Sequence, residues 1–167
     1  MSRNAEAGRD GLPAQAGSPE EGPAPASAGA ACKVEDRQEA LIAAARGARD
    51  SAYAPYSRFA VGAAVLDEQG RIHAGCNVEN AAYPQGWCAE ASALSAMVLA
   101  GGRRALALAV CAVAARPVTP CGGCRQKLRE FAADDCPVWV ADATGLLATH
   151  TLGALLPHGF GPEQLER

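Results

Sequence analysis

The chain has 167 residues, 49% of them hydrophobic and 20% charged, which fits one soluble globular domain. A net charge of −3 excludes a binder held to a polyanion by clustered Lys and Arg, so no nucleic-acid partner is expected. With no run of about 18 apolar residues, no membrane span is expected either.

The N-terminus lacks the apolar core of a secretory signal, and seven cysteines is an odd number that disulfides alone cannot use. They read as core filler, metal ligands or catalysts in a reducing, cytoplasmic setting. Residues 1–31 differ from the rest: Ala, Gly, Pro and Ser fill 21 of these 31 positions, and Leu12 is the only large aliphatic besides Met1. Such a segment cannot bury enough apolar area to offset its conformational entropy. It is expected to be a disordered tail, with the folded domain over residues 32–167.

A helix is expected over 34–48, where Leu41, Ile42 and Ala45 fall on one face among charged neighbours. Residues 53–57, holding Pro55, read as a loop. Two apolar runs, 59–66 and 72–78, flank Asp67-Glu68-Gln69-Gly70-Arg71 and predict a β-hairpin. Residues 80–87 hold Pro84 and Gly86 and read as a loop. From Cys88 to about Ala100, Leu94, Met97 and Val98 recur at helical steps before Gly101-Gly102. The wholly apolar run 106–114 predicts a central strand. Thr119-Pro120 opens a second helix with Cys124, Leu128 and Phe131 on one face. A short strand over 137–141 and a last short helix or turn over 152–156 follow. The order predicts an α/β fold with a mixed central sheet and helices on both faces.

Two segments carry chemistry: Cys88-Ala89-Glu90 and Pro120-Cys121-Gly122-Gly123-Cys124. Cys88 and Cys121 both stand at expected helix starts, where backbone N–H groups and the dipole favour thiolates. Cys124 lies one turn beyond Cys121, and the two glycines between them leave the backbone free to wrap a metal. Three thiolates without a fourth protein ligand suit a catalytic zinc rather than a closed structural one. Glu90 can reach the metal's surroundings without ligating and act as proton shuttle. The pattern is the Cys₃ form of the zinc-deaminase signature, (His/Cys)-x-Glu followed by Pro-Cys-x-x-Cys. A redox Cys-x-x-Cys beside an unrelated Cys88 would leave Glu90 and Pro120 as coincidences. Arg125, next to Cys124, is the arginine available to offset thiolate charge.

With these residues in place, the sequence resembles the small homotetrameric, zinc-dependent Cys₃ cytidine deaminases over about 52–165. The likeness extends through Tyr56-Ser57-x-Phe59-x-Val61-Gly62-Ala63-Ala64, Gly75-Cys76-Asn77-Val78-Glu79-Asn80-Ala81, Cys124-Arg125-Gln126 and Leu155-Leu156-Pro157-x-x-Phe160-Gly161-Pro162. It implies a three-layer cytidine-deaminase-like fold and hydrolysis of cytidine and deoxycytidine to uridine and deoxyuridine in pyrimidine salvage. Zn²⁺ on Cys88, Cys121 and Cys124, with Glu90 catalytic, follows from it. So do substrate contacts from Asn77, Val78 and Glu79 to the sugar, Phe59 to the base, and Ala89 beside the metal. Tyr83 and Phe160 resemble residues that complete a neighbour's pocket in a homotetramer with shared sites.

Read without the resemblance, Asn77 and Glu79 are equally an ordinary polar strand end, and Phe59 is core packing. Likewise Tyr83 is then a loop anchor and Phe160 a C-terminal plug. The family often has Arg directly after the catalytic Glu, where this chain has Ala91, and Trp87 is bulky for its place before the first ligand. Those two departures keep open a deaminase of another cytosine-bearing molecule, such as blasticidin S. A silent zinc- or nucleoside-binding homologue is a separate alternative, against which the retained Glu90 argues.

Overall fold

The computed structural model describes residues 33–165, apart from the side chain of Pro162. The expected tail, residues 1–31, and Cys32 lie outside the described residues.

A 3₁₀ turn over Val34–Arg37 leads into α1 (Gln38–Arg49), which buries Leu41, Ile42 and Ala45 as its periodicity requires. β1 (Val61–Asp67) and β2 (Ile72–Cys76) form the hairpin, antiparallel, with Leu66 opposite Ile72 and Gly62 opposite Cys76. The first strand starts two residues later than its apolar run, and the second ends two residues earlier. α2 (Ala89–Leu99) follows, then β3 (Ala105–Ala112), α3 (Gly122–Arg129) and β4 (Pro137–Ala141). Phe131, expected on a face of α3, lies beyond its end but still packs against the core. Last come β5 (Leu146–Thr151), which was not foreseen, and α4 (Leu152–Leu155).

The five strands run in the order β2-β1-β3-β4-β5, with β3 central. β3 and β4 are parallel, joined by the α3 crossover, and the other neighbouring pairs are antiparallel. Alternate residues of the sheet divide the core. Ala63, Val65, Leu108, Val110 and Val138 face α2, α3 and α4. Ala64, Leu66, Ala107, Ala109 and Trp139 face α1. The result is a three-layer sandwich with a mixed sheet, as expected.

Two glycines let helix backbone reach the sheet. A Cβ on Gly62 would stand 2.0 Å from the Ala45 carbonyl oxygen of α1. A Cβ on Gly75 would stand 2.4 Å from the Ala93 nitrogen and 2.7 Å from the Ala89 oxygen of α2. The first turn of α2 is thereby set against β2. At the far end of the hairpin, the buried Asp67 carboxylate accepts hydrogen bonds from the Gln69 and Arg71 amides, Arg71 Nε and His73 Nε2, closing the turn. Among the described residues, no helix is long and apolar enough to cross a membrane.

Candidate active site

The N-termini of α2 and α3 meet at one end of the sheet. Cys88 is the N-cap of α2 and Cys121 the N-cap of α3, both in extended backbone, and neither thiol is used as a side-chain cap. Cys124 follows one turn into α3 and is 1% exposed. Cys88 and Cys121 are open to solvent. The three sulfurs lie within 4.8 Å of one another, with Cys88 and Cys121 3.8 Å apart. Tetrahedral zinc with Zn–S bonds of about 2.3 Å sets its sulfurs about 3.8 Å apart, so the cluster fits the ion.

Glu90, at the second position of α2, is 5% exposed and sits beside the cluster. The Cys124 thiol donates to its Oε2 at 3.4 Å. Burial pushes Cys124 up from the ordinary thiol value, and the charges of Glu90 and Cys88 add to this. Cys88 is raised for the same first reason, with the neighbouring Cys121 and Glu90 charges acting in the same direction. Cys121 is lowered: burial opposes its charge, but the Cys124 amide and the Cys88 thiol favour it. Burial thus favours the thiol form at Cys88 and Cys124, and binding a metal there releases protons.

A cleft of about 290 Å³ opens onto this cluster. The structure brings Phe59, Asn77, Val78, Glu79, Ala89 and Glu90 together along it with Cys88 and Cys121. Val78 is paired to Trp87 through two backbone hydrogen bonds of 2.9 and 2.8 Å, and Glu79 N donates to the Tyr53 carbonyl. This stitching carries the chain from the end of β2 to the start of α2.

Asn77 and Glu79 are both engaged within the chain. Asn77 Oδ1 accepts from Val61 N at 2.8 Å, and its Nδ2 donates to the Phe59 carbonyl at 2.9 Å. The Glu79 carboxylate accepts from the Ser57 hydroxyl and from the Tyr56 and Ser57 amides. The Ser57 hydroxyl first, then these amides, hold Glu79 below the usual carboxylate range. An amide group and a carboxylate each keep further donor or acceptor capacity beyond these bonds, so both can still meet a hydroxyl.

Tyr83 and Phe160 stand apart. Tyr83 is 76% exposed and lines an adjoining hollow with Tyr56, Ser57 and Asn80, and this hollow shares Glu79 and Gly86 with the cleft. Phe160 is 56% exposed and lies outside the cleft lining. Arg125 directs its hydrogen bonds to Pro120 O, Thr119 Oγ1 and Leu155 O, at 2.7 to 2.8 Å; the three sulfurs are not among its partners. Val118, and Thr119 that the sequence marks only as a helix opener, also line the cleft. Their position just before Pro120-Cys121 was the available signal.

Three thiols at two helix starts, a buried carboxylate beside them and no fourth ligand among the described residues make a donor set suited to hydrolytic zinc chemistry. The chain belongs to the family described as the cytidine and deoxycytidylate deaminase zinc-binding region, whose model matches residues 35–140. It is a zinc enzyme of that family. A cytidine deaminase of Sporosarcina psychrophila is 46% identical over 127 residues, covering 76% of this chain and 93% of the relative. One from Halalkalibacterium halodurans is 44% identical, covering 78% and 98%. The crystal structure of cytidine deaminase from Burkholderia pseudomallei superposes with a TM-score of 0.69 at 43% identity, covering 73% of this chain and 98% of that one.

Proposed function

We propose that this chain hydrolyses cytidine and deoxycytidine to uridine and deoxyuridine with release of ammonia, a pyrimidine-salvage reaction. The observation that carries the reading is the placement of Glu90 against the three-thiol cluster, at the base of the cleft that Phe59, Asn77 and Glu79 also line.

Cys88, Cys121 and Cys124 would hold the zinc, which supplies Lewis acidity that lowers the pKa of water. Coordination needs the Cys124 thiolate, so loading the site removes the thiol donor from Glu90 Oε2 and leaves that oxygen free. Glu90 then takes a proton from the attacking water and delivers it to the ring nitrogen next to C4, making C4 electrophilic. It next moves the proton of the new C4 hydroxyl to the amine, which leaves as ammonia as the C4–N bond breaks and the C4 carbonyl forms. Its burial between helix α2 and the cluster excludes bulk water from the transfer. Phe59 offers a face for the base, Ala89 lets the base approach the metal end, and Asn77, Val78 and Glu79 meet the sugar.

The reading extends to a homotetramer with shared sites. Trp87, Leu94, Val98, Leu99 and Phe131 border an apolar groove of about 560 Å³ between α2 and α3, and Leu99 is 90% exposed. Such a face calls for a partner surface. In that assembly Tyr83 and Phe160 would complete a neighbour's cleft; their exposure supports this. The six described cysteines are all free, which fits a reducing compartment, the cytoplasm.

The test is absorbance-monitored deamination of cytidine, deoxycytidine, their monophosphates, cytosine and blasticidin S, with sedimentation on the same sample. Turnover of the two nucleosides by a tetramer is expected. Turnover of blasticidin S alone, or full activity in a monomer, would contradict the reading.

A further inference from the structure

α3 carries two of the three sulfurs, yet little in the helix itself holds it in place. It has eight residues, short of what stands alone, and its first turn contains Gly122 and Gly123, which weaken it further. Its N-cap makes no side-chain hydrogen bond, and only Cys124 and Leu128 are buried. What fixes it comes from outside. Arg125 Nη1 donates to the Leu155 carbonyl at 2.8 Å, Gln126 Nε2 to the Phe160 carbonyl at 2.7 Å, and Arg129 Nη2 to Glu163 Oε1 at 2.7 Å. Three residues of α3 thus grip the C-terminal segment at three successive points. Arg125 reaches the other way as well. Its Nε donates to the Pro120 carbonyl and its Nη2 to Thr119 Oγ1, in the segment that delivers Cys121 and lines the cleft.

We propose that Arg125 is the positioning residue of the metal centre. The C-terminal segment 155–163 acts through it as a strap that fixes where Cys121 and Cys124 sit. The guanidinium serves by its geometry: one planar fork meets three acceptors on two segments. Its charge is not directed at the sulfurs. The strap holds the ligands in register, so it slows metal loss and tightens metal binding. This rests on the reading of Cys88, Cys121 and Cys124 as the zinc ligands.

Geometry and charge are separated by Arg125→Lys, which keeps the cation but cannot span three acceptors. Zinc-loaded full-length wild type, Arg125→Ala, Arg125→Lys and Gln126→Ala are compared by zinc content and by the rate of zinc transfer to a chromogenic chelator. The visible spectrum of the cobalt(II)-substituted proteins is recorded alongside. All four are expected to hold one metal per chain at saturation. Arg125→Ala and Arg125→Lys should both release zinc about tenfold or more faster than wild type, and shift the thiolate-to-cobalt band. Gln126→Ala, which loses only the Phe160 tether, should also release zinc faster than wild type, by less than the Arg125 variants. If the Arg125 variants do not fold, Gln126→Ala still tests the strap, and Thr119→Val, which removes one Arg125 acceptor, tests the arginine. Recovery of the wild-type rate and spectrum in Arg125→Lys would overturn the proposal in favour of charge, and wild-type release by Gln126→Ala would overturn the strap. Full zinc retention in Cys121→Ala would show instead that the ligand assignment has failed.

Discussion

Gly75→Ala tests how closely the fold controls the site. The substitution changes one hydrogen to a methyl, far from any ligand in chemical character, yet the added Cβ would lie 2.4 Å from Ala93 N, 2.6 Å from Ser92 Cβ and 2.7 Å from Ala89 O. Two of those atoms are helix backbone and cannot rotate away. Restoring ordinary contact requires α2 to withdraw from β2 by about 1 Å, and overpacking of this kind costs about 1–3 kcal/mol. α2 carries Cys88 at its cap and Glu90 in its first turn, so the same shift moves one ligand and the proton shuttle away from Cys121 and Cys124. A displacement of about 1 Å costs on the order of a hundredfold in rate when it separates reacting groups. The variant should therefore show a lower melting temperature and a kcat for cytidine reduced on that order, with KM changed much less. Thermal denaturation and steady-state kinetics on zinc-saturated protein read both. Wild-type kcat with a lowered melting temperature would refute the link between helix position and catalysis.

Zinc binding should weaken as pH falls. Cys88 and Cys124 are both held above the ordinary thiol value, so each gives up a proton when the metal binds. With at least two protons released, the apparent Kd should rise by at least about a hundredfold per pH unit between pH 8 and 6. Chelator competition measures it, and a pH-independent Kd would contradict thiolate ligation. Asp67→Asn should destabilise the fold by about 1.5–3 kcal/mol at pH 7, because the buried carboxylate loses charge-assisted hydrogen bonds. Burial opposes the Asp67 charge, but the bonds from His73, Arg71 and Gln69 outweigh it and lower the pKa. Its contribution is therefore complete above the ordinary carboxylate pKa and is lost as pH falls through the lowered folded value. The stability gap between wild type and variant in denaturant melts should shrink as pH falls below the ordinary carboxylate range, and a constant gap would refute the assignment.

The central elements were legible because burial writes a pattern. β3 is apolar at every position since both faces are covered, and α1 repeats at helical spacing since one face is. β5 was not legible for the opposite reason. It is an edge strand whose Leu146 and Leu147 are half-exposed, and its order comes from the ladder to β4 rather than from burial. Its one local signal was the turn before it, where Asp142 Oδ1 accepts from the Thr144 amide and hydroxyl and from Gly145 N, with Gly145 at φ 144°. In the site, the cysteine spacing was readable because caps and helical turns are local. The internal hydrogen bonds of Asn77 and Glu79 were not, since they depend on how residues 56–61 fold back onto the end of β2. In sequence Arg125 stands out as a charge near sulfur, because only its adjacency to Cys124 shows there. Its partners Leu155 and Thr119 are brought in only by the tertiary fold.

The most direct test of the account is the initial rate of cytidine deamination by wild type and Glu90→Gln, measured on samples of equal zinc content. The account predicts that both proteins hold one zinc per chain, that wild type turns over cytidine, and that Glu90→Gln falls by about a hundred- to ten-thousandfold. Zinc-loaded wild type that leaves cytidine and deoxycytidine untouched, or Glu90→Gln with near-normal turnover, would contradict it.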